Sequence, residues 1–428
     1  MVLLTVVFAI LPARIVRAQK ADPGAGPRPS PARSVAEQLG DRMLKGFKTA
    51  WPDPPESVAM LMDILAGSQL GPGEGWFKKA VAQTRYGWQV SKNRFDTNHD
   101  GRITPEEFAG PIADFSRLDR DHDGSLSASD FDFTPHALVP SPGAMLFMMA
   151  DRDGNGKLTH AEFDAFFQAV DSGGQGFLSL ADLQEAFTPP RRGRGSSGGP
   201  QGPTTFTLVK GLARQEIGSL QPGPGLGTVA PDFTLERVDG KGSITLAKQV
   251  GPKPVVLIFG NFTCGPFRMQ AGNVEKLYER YKDRAEFVMV YVREAHPIDG
   301  WRMESNDRVE VSLAQPRSYE ERVSVAQLCS SRLKLGMPML VDTIEDTVGA
   351  RYSGMPSRLY LIDHRGRIAY KSGRGPFGFK PAELEHSLLL LLRDEFPDLK
   401  PRDSTEKNAS HPLATSLPTT TPARSKQP

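Results

Sequence analysis

The chain has 428 residues, 39% of them hydrophobic and 24% charged, with a formal net charge of +2. That balance fits a soluble globular protein of two or three domains, each able to bury a core. With no basic stripe interleaved with aromatics, nucleic acid is not expected as a partner. Only two cysteines, Cys264 and Cys329, are present, which excludes a disulfide-stapled scaffold.

The opening run M-V-L-L-T-V-V-F-A-I-L, followed by Val16-Arg17-Ala18, has the length and cleavage-site pattern of a signal peptide over residues 1–18. Export, periplasmic or secreted, is therefore expected. The run is too short for a stable membrane span. It lacks a basic start, and a mistranslated upstream stretch is the alternative reading. Residues 19–34 read as a Pro/Ala/Gly linker that cannot bury enough apolar surface to fold. Residues 35–95 read as a helical region leading into the loops that begin at Asp96, with helix-spaced apolar residues through Ser57 to Ala66 and through Trp76 to Phe95.

From Asp96 to residue 188 the sequence carries loops that match the twelve-residue EF-hand pattern. In that pattern oxygens come from positions 1, 3, 5, 7, 9 and 12, and glycine at position 6 makes the sharp turn. Loop one offers Asp96, Asn98, Asp100, the Arg102 carbonyl, Thr104 and a bidentate Glu107. Loop two offers Asp119, Asp121, Asp123, the Ser125 carbonyl, Ser127 and Asp130, whose arm is one methylene shorter and predicts weaker binding or tolerance of magnesium. Loop three is complete, with Asp151, Asp153, Asn155, the Lys157 carbonyl, Thr159 and Glu162. A fourth loop keeps Asp171, Gly176 and Asp182 but has Gly173 at position 3, so it reads as scaffold. A bland acidic turn does not explain loops one and three, where glycine, hydrophobe and terminal carboxylate all fall in register. Calcium is the expected metal.

Eleven residues separate Glu107 from Asp119 and eight separate Glu162 from Asp171, room for one shared helix in each case. The longer stretch from Phe131 to Ala150 has room for two helices and a Pro-containing turn. On that ground loop two is expected to pair with loop three.

Residues 189–205, rich in Gly, Pro and Arg, read as a flexible linker and the main domain boundary, tethering the halves loosely. Beyond it, residues 206–400 alternate short β-branched runs with helices. Val255 to Phe259, a helix over 266–282, and Glu286 to Val292 make a right-handed βαβ unit. Arg358 to Asp363 and Arg367 to Lys371 make a hairpin, and Pro381 to Arg393 a closing helix. That order is the one a thioredoxin-like domain needs. The fold class expected is multidomain: an all-α EF-hand domain followed by an α/β thioredoxin-like domain. Residues 401–428, rich in Ser, Thr, Pro and Lys, read as a disordered tail.

Cys264 falls between a buried strand and a helix, where exposed N–H groups and the helix dipole favour thiolate; the bland alternative is a small buried hydrophobe. The segment T-C-G-P-F (263–267) resembles the Thr-Sec-Pro-Pro-Phe site of the iodothyronine deiodinases, and Y-V-R-E-A-H-P-I-D-G-W (291–301), R-S-Y-E-E-R-V (317–323), R-L-Y-L-I (358–362) and G-R-G-P-F-G-F (373–379) are similar to further blocks of that family in the same order. The resemblance covers roughly residues 230 to 395. It implies that Cys264, in the selenocysteine position, is a nucleophile that takes iodine from an aromatic ring. It also implies that His296, Glu294 and Tyr291 relay a proton to the ring carbon, and that Arg358 lies near the site. A halogenated phenol is the substrate class this implies. A cis-proline at Pro356, facing the cysteine, is a further expectation from the fold.

Phe262 and Met337 stand where the family pattern has cysteines, and Pro316 where it has a histidine. Cys329 reads as a buried structural residue on a helix from Tyr319 to Leu333. An external thiol reductant or a partner protein would therefore have to regenerate Cys264. Two other readings remain. A general thiol oxidoreductase or peroxidase is suggested by A-P-D-F-T-L (230–235), although Asn261 stands where a peroxiredoxin has threonine. The other is a non-catalytic calcium-binding adaptor.

Overall fold

A computed structural model describes residues 46, 49–51, 54–68, 81–133, 142–171, 173–187 and 204–399. The expected signal peptide, the 19–34 linker, nearly all of the 189–205 linker and the tail lie outside the described residues. Of residues 1–52, those described are helical at 46, 49 and 50.

In chain order, the first half contains α1 (Glu56–Leu65), β1 (Gln83–Thr84), α2 (Trp88–Phe95), α3 (Pro105–Phe108), α4 (Ile112–Leu118), α5 (Pro142–Ala150), α6 (His160–Val170) and α7 (Leu180–Ala186). The second half contains α8 (Thr205–Ala213), β2 (Thr234–Glu236), β3 (Ser243–Thr245), β4 (Val255–Gly260), α9 (Gly265–Tyr281), β5 (Glu286–Tyr291) and α10 (Glu304–Asp307). It continues with α11 (Tyr319–Leu333), β6 (Met339–Val341), α12 (Thr347–Tyr352), β7 (Arg358–Ile362), β8 (Ile368–Lys371) and α13 (Pro381–Glu395).

The helices of the calcium half start where their loops end. Thr104 and Glu107, Thr159 and Glu162, and Ser179 and Asp182 each form a reciprocal capping box, so loop positions 9 and 12 also satisfy the first N–H groups of α3, α6 and α7. Loops three and four share the single helix α6, as their spacing predicts. Between loops one and two the expected single helix is broken: Ala109 is left-handed (φ 48°) and Gly110-Pro111 follows, which ends α3 after one turn and restarts the chain as α4. The break lets loop two fold back on loop one. Ile103 and Leu126 exchange backbone hydrogen bonds of 3.0 and 2.9 Å, so loops one and two share the β-bridge and the expected pairing of loop two with loop three is overturned.

In the second half β4 (VVLIFG) is buried at every position because the sheet is covered on both faces. It pairs in parallel with β5 and antiparallel with β7, in a six-stranded sheet ordered β1-β8-β7-β4-β5-β6. This is a mixed α/β sheet preceded by a helical EF-hand region. The edge strand β1 comes from the first half, where a helix over Trp76 to Phe95 was expected; residues 76–80 lie outside the described residues, and of the rest Trp88–Phe95 is helical while Gln83–Thr84 is strand. Helix α1 likewise does not lead into the calcium loops. Its Met60 and Ile64 pack with Leu208 and Leu212 of α8, and with Trp301 and Phe377 at the rim of this cluster.

One core runs through both halves. Phe95, Ile103, Phe108, Phe115, Leu118 and Leu126 of the first loop pair are continuous with Leu388 to Leu392 of α13 and with the sheet-facing side of α9. Arg284 and Asp114 cross the junction as a bidentate pair at 2.9 and 2.7 Å, each side chain 6% exposed. The loose tethering expected from the linker is replaced by a shared interior. Asp114→Ala should cost about 3–5 kcal/mol, because it leaves the Arg284 guanidinium buried and unpaired. A denaturant midpoint unchanged from that of the parent chain would contradict this.

Candidate functional site

β4 ends at Gly260 and α9 begins at Gly265, so residues 261–264 form a tight loop at the end of the central strand. Asn261, fully buried, organises it. Its Oδ1 accepts from Cys264 N (3.0 Å) and Ala295 N (3.2 Å), joining the loops after β4 and β5, and its Nδ2 donates to Pro356 O (2.9 Å). The Met355–Pro356 bond is cis, as expected.

Cys264 is the N-cap residue of α9, and Arg268 N donates to its carbonyl (3.1 Å). The thiol is 1% exposed. Burial pushes it up to about 11; the Phe267 N–H, Arg268 and the Ser357 hydroxyl oppose the rise, and Glu294 adds to it. The helix end is where the sequence placed it, but the favoured thiolate is not, because desolvation outweighs the dipole here. Cys329 is also free, buried within α11, and burial raises its pKa well above the ordinary thiol value.

Tyr291 and Glu294 are joined directly, the phenol donating to Oε1. Oε2 accepts from Thr263 Oγ1 (2.7 Å) and Thr263 N (2.9 Å). Burial nevertheless raises the pKa of Glu294. The same threonine hydroxyl accepts from His296 N (3.0 Å). The chain Tyr291–Glu294–Thr263 thus reaches the main chain of His296 and not its ring. The ring is half-buried edge-on to Trp301, with Nδ1 3.0 Å from Trp301 O. A carbonyl only accepts, so Nδ1 carries the hydrogen and Nε2 offers a lone pair. Desolvation, with Arg268 adding to it, lowers the imidazole to about 4. At neutral pH this histidine is therefore uncharged, not the ready donor its ordinary pKa suggests.

The EF-hand loops differ in which oxygens they offer. In loop three, carboxylate oxygens of Asp151, Asp153 and Glu162 lie within 4.8 Å of one another, and those of Asp119, Asp121 and Asp123 do the same in loop two. Asp151 also accepts from Asn155 N (3.1 Å) and Gly156 N (3.0 Å), which wraps the loop around the cluster. Among the described residues loop one shows no such convergence. Glu107 accepts from Thr97 N, Asn98 N and Thr104 N, as Glu162 does at the matching positions of loop three, and Asn98 takes the place of an acid. Arg102 reaches across to Asp123 Oδ2 (3.0 Å) and Ser125 Oγ (2.8 Å). Asp130, fully buried, accepts from Arg120 N (2.8 Å) and Ser127 N (2.7 Å). In loop four Asp171 and Asp182 are turned onto backbone N–H groups. These hard oxygen sets suit calcium.

The iodothyronine deiodinase family model matches residues 214–391, and the EF-hand model matches 93–109, 112–132 and 144–167. A type I iodothyronine deiodinase of Xenopus laevis is 29% identical over 43% of this chain and 71% of its own length. A thyroxine 5-deiodinase of Rattus norvegicus is 34% identical over 37% of this chain and 51% of its own. Residues 214–391 form an iodothyronine deiodinase-like domain, and EF-hands precede it. The chain spans only about half the length of the rat relative. Among solved structures, a putative thiol:disulfide interchange protein from Chlorobium tepidum is 22% identical over 40% of this chain and 99% of its own, at a TM-score of 0.28.

In the deiodinase-like domain Arg358 does not point an empty guanidinium at the thiol. Its Nη2 donates to both carboxylate oxygens of Glu56 (3.1 and 3.2 Å), and Arg374 Nε donates to the same carboxylate (2.9 Å). Lys371 lies beside them and donates to Pro222 O (2.6 Å). Glu56 opens α1, more than 300 positions away, and no local signal ties it to Arg358. Arg268, 4% exposed, was also not legible: it donates to Phe262 O and to Asn306 Oδ1 (2.7 Å), while Asn306 Nδ2 donates to Thr263 O (2.9 Å). In the sequence Asn261 stands out only as a mismatch to another family.

Burial would raise Glu56, but Arg358 and Arg374 together hold it at about 2, below the ordinary 4.5 of a glutamate. A depressed carboxylate stabilises the fold above the unfolded pKa and loses that contribution as pH falls toward the folded one. Glu56→Gln should cost about 3–5 kcal/mol at pH 7, and the gap between variant and parent should narrow from pH 4.5 toward pH 2 in urea titrations. Alkylation of Cys264 in a Cys329→Ala chain should keep accelerating with pH toward about 11. A plateau reached near about 8.5 would mean an ordinary exposed thiol.

Proposed function

We propose that the chain is an exported, calcium-binding protein whose second half carries out thiol-dependent reductive dehalogenation of an iodinated phenol, as the names of its thyroxine deiodinase relatives suggest. The observation that carries this reading is Cys264 at the N-cap of α9, held in one hydrogen-bonded loop system with His296, Glu294 and Tyr291. The apolar opening run supports export, and the oxygen clusters of loops two and three support calcium.

The chemistry follows from the protonation states. Cys264 rests as a thiol and His296 as a neutral imidazole; in the proposed step the thiol proton passes to Nε2, a transfer uphill from these resting states that the attack on iodine must draw forward. The thiolate then attacks iodine: a sulfur–iodine bond forms, the carbon–iodine bond breaks, and the ring carbon keeps the electron pair and takes the proton back from the imidazolium. An external thiol displaces iodide from sulfur, giving a mixed disulfide, and a second external thiol frees Cys264 as the disulfide of the reductant. The buried Tyr291–Glu294–Thr263 chain holds the backbone of the two loops in register for this exchange.

One observation favours a second reading, a calcium-binding adaptor with an idle thiol. Cys264 is nearly inaccessible, and burial raises its pKa. The two are separated by incubating the full chain with excess dithiol and an iodinated phenol and measuring iodide. Release abolished by Cys264→Ser and kept by Cys329→Ala supports the enzyme. No release above a protein-free control, or release indifferent to Cys264→Ser, supports the adaptor.

A further inference from the structure

Loop three lies directly on the helix that carries Cys264. Gly156, at position 6 of the loop, has φ 74°, and a Cβ there would fall 2.1 Å from Arg268 O and 3.1 Å from both Met269 O and Ala271 N. From the other side, a Cβ on Gly272 would fall 2.1 Å from Gly156 O. Two glycines, one on each element, thus allow the calcium loop to lie backbone to backbone on the second turn of α9. Lys157 Nζ donates to Lys334 O (2.9 Å) just beyond α11, and a Cβ on Gly154 would meet Val309 at 2.7 Å, so the contact extends to either side of Gly156. Asn155, a ligand position, is 2% exposed.

The residue that Gly156 touches is the one that holds the thiol loop. Arg268 N donates to Cys264 O, its guanidinium donates to Phe262 O and to Asn306, and Asn306 donates to Thr263 O. Moving Arg268 therefore disturbs the carbonyls of Phe262, Thr263 and Cys264 together. With the thiol 1% exposed, a reagent reaches it only after a local opening, and movement of Arg268 is one that would open all three of these contacts.

We propose that calcium at Asp151–Glu162 regulates access to Cys264, by stabilising the form in which loop three is docked on α9 and the thiol is closed off. This rests on loop three being a calcium site and on Cys264 being the reactive thiol. It does not depend on which substrate the thiol attacks. A ligand that binds only the docked form suppresses opening by the factor 1 + [Ca²⁺]/Kd. The coupling is reciprocal, so loosening the docking from the α9 side weakens calcium binding at a loop that has not been altered.

The test uses the full chain with Cys329→Ala. Iodoacetamide alkylation of Cys264 is timed at one pH, in chelator and across a calcium titration, while calorimetry follows calcium binding in the same samples. At calcium tenfold above Kd, alkylation should slow about tenfold. The slowing should vanish with Glu162→Gln and persist with Glu107→Gln. Gly272→Val, on the helix, should lower the loop-three affinity and speed alkylation in calcium. Should that variant not fold, amide exchange in the parent chain gives the same answer: calcium should protect 265–272, and Glu162→Gln should remove the protection. Loop-three binding heat with no change in alkylation or exchange overturns the proposal and leaves the calcium reading intact. No heat assignable to loop three overturns both. Neither outcome bears on iodide release, which tests the dehalogenase reading separately.

Discussion

A helix lying on a sheet has one covered face, yet five consecutive leucines of α13, Leu388 to Leu392, are all at most 1% exposed. Such a helix needs a second cover. The sheet takes one side, and Phe108, Phe115 and Leu118 of the first EF-hand pair belong to the same core. Arg393 fixes the junction by donating to Phe108 O (2.8 Å), and Tyr86 and Arg85 add bonds to Asp394 and Glu395. The rest of the architecture depends on this sandwiching. It carries β1 to the sheet edge beside β8 and sets Asp114 against Arg284.

At the thiol two effects compete, and burial wins. A helix N-terminus and a nearby guanidinium each favour thiolate, but they act on a group almost without solvent. The same desolvation lowers His296 and raises Glu294. Each of these three groups is thereby shifted toward its uncharged form. A site of this kind rests with its proton on sulfur and its histidine neutral.

Much of the fold was legible because its signals are local. The continuous apolar run of β4, the glycine and carboxylate register of the EF loops and the helix-spaced residues of α9, α11 and α13 each predict their own element within a few residues. What was missed is non-local. Glu56 has no neighbour in sequence that announces Arg358 or Arg374, and a two-residue strand such as Gln83–Thr84 has no periodicity to detect. The pairing of loops one and two escapes the sequence for another reason. Spacing by itself measures helix length, whereas Gly110-Pro111 is a breaker in plain view. The leucine run of α13 is also readable as a helix without a solvent face, and with it the need for a partner from the first half.

The Gly/Pro/Arg linker at 189–205 suggests loose tethering only if the linker is the sole connection. A flexible segment limits how far two bodies can separate; it says nothing about whether their surfaces attract. Here loops one and two contribute to a core shared with the deiodinase-like domain, while loop three meets α9 through two glycines. The two loop regions are therefore held in physically different ways. The first is fixed by apolar burial that no ion needs to maintain. The second is a backbone contact at Gly156 and Gly272, flanked by Lys157 on Lys334 O and Gly154 beside Val309, whose geometry is that of the EF-hand loop itself. A calcium-sensitive element belongs where the free-energy difference between docked and undocked forms is small enough for one ion to decide it, and this is why the proposed coupling is placed at the contact of loop three on the Cys264 helix, where two backbones meet through Gly156 and Gly272.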